Sequence, residues 1–385
     1  MKIGGAWLDN PNTQAVLHLL SEAGYHALAV GGCVRNALLG VPVADVDIAT
    51  DALPETVTKL AENAGLRAVP TGIAHGTVTV VSGGEGFEVT SFRRDDETFG
   101  RHARVSFGAS LKQDAARRDF TMNALYVQAD GSLVDPLGGL DDLKARRVRF
   151  VGDAHDRIAE DSLRILRFFR FHAQYGDPEQ GLDADALAAC AEHSAMLETL
   201  SQERITAELR KLLAATDPAP AVAAMVQAGV MAHILPGAQA AALAVLVHLE
   251  EGKPGGWLRR LLVLGGADPT EILRMSKAES AHFCNVRDVL GEVSAPAALG
   301  YLLGELRAAD AVLARAALFE APPAAGWRDD IHRGAKAIFP LKAKDLMPHL
   351  SGADLGAALK RAEAHWLAQD FAPDRNALLV VLGLA

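Results

Sequence analysis

Two aspartates, Asp45 and Asp47, stand two positions apart in the short run Asp45-Val46-Asp47-Ile48-Ala49. On a strand that spacing puts both carboxylates on one face and Val46 and Ile48 on the other. Carboxylates side by side repel unless a cation lies between them. Mg2+ suits such a pair, because it takes carboxylate oxygens and keeps its other positions for water and substrate phosphates. Taken alone, the pair reads more often as a solvated turn. Upstream, Gly31-Gly32 follow a strand-like run and open a helix, a place where backbone N–H groups point at a phosphate. Arg35 adds a charged donor one turn further on.

Two further runs carry chemistry. In Arg117-Arg118-Asp119-Phe120-Thr121-Met122-Asn123 the arginine pair offers forked donors to phosphates, and Asp119 with Asn123 suits the hydroxyls of a ribose. In Glu160-Asp161-Ser162-Leu163-Arg164-Ile165-Leu166-Arg167, Asp161 and Arg164 are three apart, and on one helix they would share a face. The ordinary reading of that spacing is a surface ion pair. The chemical reading is base selection: cytosine and adenine each show an amino donor beside an acceptor nitrogen, which a carboxylate and a guanidinium can meet together. Guanine and uracil present the opposite polarity.

Elements that would position these residues can be read around them. Residues 25–92 alternate as strand and helix, with a helix expected from Pro54 to about Ala64, and strands at 66–69, 76–81 and 87–92 about a glycine-rich turn near 82–86. Residues 93–107 are charged and irregular, which predicts an exposed, mobile loop with Gly100 as a pivot. Beyond Ile158 the pattern is helical, broken by Pro/Gly-rich stretches near 216–220, 252–256 and 321–326.

The 385 residues carry a formal charge of −10, which argues against a generally basic nucleic-acid binder. The charge is uneven: residues 93–170 hold 15 Lys and Arg against 13 Asp and Glu, so an electropositive stretch sits in an acidic chain. Three scattered cysteines suggest neither a disulfide framework nor a zinc cluster, and no apolar run is long enough to span a bilayer. A cytoplasmic protein with no membrane partner is expected.

The run from Gly31 to Gly40 followed by Asp45-Val46-Asp47 resembles the first motif of the class II tRNA nucleotidyltransferase and poly(A) polymerase family. The segment Arg117–Leu125 is similar to its second motif, Asp135–Leu143 to the third, Glu160–Phe171 to the fourth and Ser201–Leu213 to the fifth. Asn36 departs from the family's usual acidic residue. The resemblance spans roughly residues 25–235. It implies an α+β fold: a polymerase β-like nucleotidyltransferase palm with a small mixed sheet over residues 1–150, a helical neck over 151–215, and a helical body and tail over 216–385 that binds tRNA. It further implies catalytic Asp45, Asp47 and Glu88, with Mg2+ on Asp45 and Asp47, while metal ligation by Glu88 stays open. The nucleotide would be bound by Gly31, Gly32, Arg35, Arg117, Arg118, Asp119, Asn123, Asp161, Arg164 and Arg167. The activity implied is addition of C and A to the tRNA 3′ end from CTP and ATP. Poly(A) addition, partial CC or A addition, and an inactive RNA-binding scaffold are the alternatives. In that setting the 95–104 loop would be a lever that re-aims the base-selecting residues between C and A.

Overall fold

The structure is a computed structural model that describes residues 1–99, 102–252, 256–292 and 294–384. It divides into two compact units, Met1–Gly237 and Ala238–Ala385.

The first unit begins with helices α1 (Ala6–Asp9) and α2 (Pro11–Glu22). Strand β1 (Leu28–Val30) runs into α3 (Gly32–Leu39), and β2 (Asp47–Thr50) is followed by α4 (Pro54–Asn63). Pro54 occupies the first turn of α4, where its missing N–H costs nothing. Then come β3 (Arg67–Gly72), β4 (Thr77–Ser82) and β5 (Glu85–Ser91). Ser82 pairs with Glu85 across a two-residue turn in which Gly83 and Gly84 both have positive φ, 58° and 88°, as a tight hairpin turn demands. After the ribbon β6 (Arg93–Phe99) and β7 (His102–Phe107) come α5 (Leu111–Ala116), β8 (Tyr126–Gln128), β9 (Leu133–Val134) and α6 (Gly139–Lys144). The unit ends in α7 (Ala154–Glu160), α8 (Leu163–Tyr175), α9 (Ala184–Glu192), α10 (Gln202–Leu213) and α11 (Ala219–Gln227).

Seven strands form one sheet in the order β3-β4-β5-β2-β1-β8-β9, with β2 and β5 parallel and the other pairs antiparallel. Along β4, Val78 and Val80 are fully buried and alternate with half-buried threonine and valine. This is the α+β arrangement expected from the sequence: a mixed N-terminal sheet, then only helices among the described residues.

The charged segment after β5 differs from expectation. Instead of an irregular loop, β6 and β7 form a separate antiparallel ribbon with Arg93 opposite Phe107 and Phe99 opposite His102. Backbone pairing can satisfy N–H and C=O groups whatever the side chains are, so a segment with no apolar alternation still folds as a hairpin. Gly100, the expected pivot, lies outside the described residues.

An aromatic cluster joins the end of the sheet region to α8: the Phe120 ring lies tilted 5.0 Å from Phe150 and 4.9 Å from Phe171, and Phe150 lies 5.8 Å from Phe168. Helix α8 is tied to α10 by a buried ion pair in which Arg170 Nε donates to Glu208 at 2.5 Å.

The second unit consists of helices alone among its described residues: α12 (Ala241–Leu249), α13 (Trp257–Leu264), α14 (Pro269–Ile272), α15 (Lys277–Val289), α16 (Pro296–Leu303), α17 (Glu305–Leu318), α18 (Trp327–Ala335), α19 (Ala343–Leu346), α20 (Gly352–Ala368) and α21 (Arg375–Val381). Helices α16 and α18 touch backbone to backbone. A Cβ on Gly334 would fall 1.8 Å from the Ala297 carbonyl oxygen, and one on Gly300 would fall 2.2 Å from that of Ile331. Within this unit Glu250 accepts from both Arg259 and the fully buried Arg260, and Asp310 accepts from Arg259 and faces His282 Nε2 at 2.7 Å. No helix among the described residues is long and apolar enough to cross a membrane.

Candidate active site

Strand β2 begins at Asp47, not at Asp45. On one side the cause is visible: Val30 is the last residue of β1 and pairs with Asp47, after which Gly31, at φ 75°, turns the chain into α3, so residue 45 has no β1 partner, although β5 runs on to Glu85 on the other side. Asp45 therefore stands in the irregular approach to the strand. On the other side Glu88 of β5 is the parallel register partner of Asp47. All three acidic residues are exposed. The Asp47 carboxyl is held above its ordinary value, first by desolvation and then by the charge of Glu88, with Asp45 adding to it and Arg118 opposing. Other carboxylates here fare differently: Asp114, Asp119 and Asp142 each have arginine partners at bonding distance. Three hard oxygen donors with unbalanced negative charge at a sheet end suit a divalent cation.

Beside this edge, Gly31 takes φ 75°, a left-handed backbone that favours glycine, and lies next to the Arg118 guanidinium. The thiol of Cys33, in the first turn of α3, is pushed up to about 11 by burial and by the Asp47 charge, so it is a packing group rather than a nucleophile. Arg35 is placed differently from a free phosphate donor. It is buried, donates to Asn123 Oδ1 at 2.6 Å, to the Tyr175 hydroxyl at 2.9 Å and to Asn36 Oδ1, and its guanidinium stacks 4.0 Å above the Tyr175 ring.

The arginine pair follows α5, whose start is fixed by a capping box between Ser110 and Gln113. Buried Asp114, on the same helix, accepts from Arg117 Nε at 2.8 Å, from Arg118 Nη2 at 3.2 Å and from the Tyr126 hydroxyl at 2.8 Å. Burial raises the Tyr126 phenol well above its ordinary value, which keeps it a donor. Asp114 thus aims both guanidinium groups, a role with no local signal in the sequence beyond its i,i+3 and i,i+4 spacing. Asp119 accepts from Arg167 Nε at 2.8 Å, from Asn123 Nδ2 at 2.9 Å and from the Phe120 N–H at 2.8 Å. Burial alone would push its carboxyl up, but Arg167 and these donors outweigh it and bring the pKa to about 2.

Asp161 and Arg164 do not share a helix. Helix α7 ends at Glu160, Asp161 is extended with φ −153° and ψ 103°, and α8 starts at Leu163. The cause is local: Asp161 Oδ1 accepts the N–H of Leu163 at 3.1 Å, so its side chain caps a new helix rather than continuing the old one. Nor do the two pair. Asp161 Oδ2 accepts from Arg204 at 2.7 Å, whereas Arg164 donates to the Arg157 carbonyl at 2.7 Å and to the Glu160 carboxylate. Arg157 in turn donates to the backbone carbonyls of Arg117 and Arg118. Arg167 feels both Asp119 and Asp161. Residues drawn from four separate runs therefore form one continuous polar network, with Asp114, Tyr126, Arg157, Tyr175 and Arg204 as members the sequence reading missed.

Chemically, this arrangement offers a hard-oxygen edge for a cation, helix N–H groups and guanidinium groups for phosphates, and a carboxylate and guanidinium for a polar base edge.

Residues 27–149 match the family described as Poly A polymerase head domain, and residues 181–242 match the probable RNA and SrmB- binding site of polymerase A. The chain is 42% identical over 215 residues to a CCA-adding enzyme of Lacticaseibacillus paracasei, covering 54% of this chain and 52% of that protein. It is 45% identical over 213 residues to one of Streptococcus pyogenes, covering 55% and 51%. The chain spans about half the length of the curated relatives it matches. Among solved structures, the Bacillus stearothermophilus CCA-adding enzyme in complex with CTP superposes with a TM-score of 0.72 at 27% identity, over 97% of this chain and 96% of that one.

Proposed function

The chain belongs to the class II tRNA nucleotidyltransferase and poly(A) polymerase family, and on that premise we propose that it adds C and A to the 3′ end of tRNA from CTP and ATP. The RNA 3′-hydroxyl oxygen bonds to the α-phosphorus, the α–β bridging P–O bond breaks, and pyrophosphate leaves. The observation that carries the reading is the acidic edge of Asp47, Glu88 and Asp45 beside the helix start at Gly31-Gly32 and the Asp114-aimed arginine pair.

Asp45 and Asp47 would hold Mg2+, and their unbalanced negative charge and hard oxygens fit it. Two such ions, when bound, would supply Lewis acidity to the attacking hydroxyl and to the leaving phosphates. Glu88 adds negative charge beside Asp47, whether or not it ligates. The Gly32 N–H at the start of α3, with Arg117 and Arg118, binds the triphosphate, while Gly31, whose own N–H donates to the Leu125 carbonyl at 3.2 Å, turns the chain into the helix. Asp119 and Asn123, held by Arg167 and Arg35, face the ribose, so Arg35 and Arg167 act through them. Asp161 accepts the amino group of C or A and Arg164 donates to the neighbouring ring nitrogen. An ionised carboxylate has about four acceptor sites, so a base can join Arg204 and the Leu163 N–H at Asp161 without displacing them. Residues 1–150 act as the catalytic head, 151–215 as the neck, and 216–385 hold the tRNA.

The test is incubation of the purified protein with tRNA transcripts that lack the whole CCA end, lack only the final A, or are complete, with each nucleotide in turn and together. Completion of all three nucleotides followed by arrest supports the reading. Untemplated A runs without C would make it a poly(A) polymerase, arrest after CC or addition of A alone a partial enzyme, and no incorporation at all a binding scaffold.

A further inference from the structure

Outside this network, the first turn of α7 and the end of α9 bring together His155, Glu192 and His193, whose ligand atoms all lie within 4.8 Å of one another. We propose that these three side chains form a binding site for a first-row transition metal ion of the Zn2+ class, independent of the carboxylate edge at Asp47.

Geometry is the main argument. His155 Nδ1 lies 3.2 Å from His193 Nε2 and 3.7 Å from Glu192 Oε2. For bonds of about 2.0–2.1 Å, those separations subtend roughly 100° and 130° at a central ion, which brackets the tetrahedral angle of about 109°. The donor set is also right: two imidazole nitrogens and one carboxylate oxygen suit zinc and its neighbours rather than Mg2+, which prefers oxygen and octahedral geometry. His155 and Glu192 are exposed, so an ion has a path in. A cavity of about 380 Å3 opens beside His155, lined by Arg149, Asp153, Asp183 and Asp185, with room for water as the fourth ligand.

The backbone behind the ligands is fixed. Asp153 caps α7 by accepting the N–H groups of His155 and Asp156, and Asp183 caps α9 by accepting that of Ala186. An ion would therefore fasten α7 to α9, and α7 is the helix that carries Arg157 and ends just before Asp161. Without an ion, His155 Nδ1 is left to share a hydrogen bond with His193 Nε2 and a longer pairing with the Glu192 carboxylate.

The experiment uses the full chain in an Asp45→Ala/Asp47→Ala background, which removes the proposed Mg2+ ligands, titrated with Co2+ alone after chelator treatment and followed by visible absorption. One equivalent with the intense spectrum of a four- or five-coordinate ion is expected, displaced by Zn2+. His155→Ala and His193→Ala should each abolish it, and Glu192→Gln should weaken it at least tenfold, while circular dichroism and metal-free melting stay unchanged. Absence of that spectrum, or its survival in either histidine variant, would overturn the proposal. The Mg2+ reading is untouched either way, because its ligands are already gone.

Discussion

Asp119 and Arg167 lie 48 positions apart and are joined by a 2.8 Å hydrogen bond that fastens the turn after α5 to the middle of α8. The Asp119 carboxyl, at about 2 rather than 3.8, is stabilised in its ionised form. Its contribution to folding is complete above about pH 5 and is lost as the pH falls through about 2. The shift corresponds to roughly 2 kcal/mol. Asp119→Asn should therefore unfold at lower urea than the parent near neutral pH, and the gap should narrow steadily between pH 5 and pH 2. A gap of constant size across that range would show that the ion pair contributes nothing to stability.

Replacing Asp47 with Ala should lower turnover by several orders of magnitude while tRNA affinity stays within a few-fold, since the loss falls on the transition state. Single-turnover assays and filter binding separate the two quantities. Ordinary turnover in this variant would remove the acidic edge from the mechanism.

Asp161→Ala should reduce incorporation of both C and A and raise the relative use of U and G, because the carboxylate that repels their carbonyls is lost. Arg204→Ala tests a subtler point. Arg204 holds Asp161 at 2.7 Å, so its loss should raise KM for CTP and ATP and blur base choice, with a smaller effect than removal of Asp161 itself. Nucleotide competition assays read both variants.

Replacing residues 96–104 by a short turn should leave CC addition nearly intact and abolish A addition, giving products one nucleotide short. A ribbon of paired strands is better able than a loose loop to transmit a rotation at its base, where Arg93 pairs with Phe107. Equal loss of C and A on sequencing gels would point to a general role in binding triphosphate.

Much of this could be read from the sequence, because local chemistry dictated it. Gly83-Gly84 marked the β4–β5 turn and Pro54 marked the start of α4, whereas the same-face strand reading of Asp45 and Asp47 failed for Asp45, which lies ahead of β2. What escaped was set at a distance. The start of β2 depends on β1 being turned aside at Gly31, and the partners Arg204 and Tyr175 come from helices far along the chain. Asp161 is the instructive case. The helical period of residues 158–171 suggested one continuous helix, but Asp161 turns extended and its side chain accepts the Leu163 N–H, and that local bond won over periodicity.

In the second unit, Gly334→Ala should cost about 3 kcal/mol or more, since its Cβ would meet the backbone of Ala297 rather than a side chain that can move. Thermal unfolding followed by circular dichroism should show the loss, whereas Gly356→Ala, in α20 with open space at its Cβ, should not.

The pairing of Asp47 with Glu88 also bears on how the molecule is made. β2 is translated first and β5 only 41 positions later, an interval of roughly 2–8 s at about 5–20 residues per second. β8, which closes the sheet against the other edge of β1, follows later still, from residue 126. A ribosome halted before codon 88 thus carries a chain with only part of its acidic edge. Ion binding by that edge, as proposed above, would then mark the completion of strand assembly on the nascent chain rather than seed it.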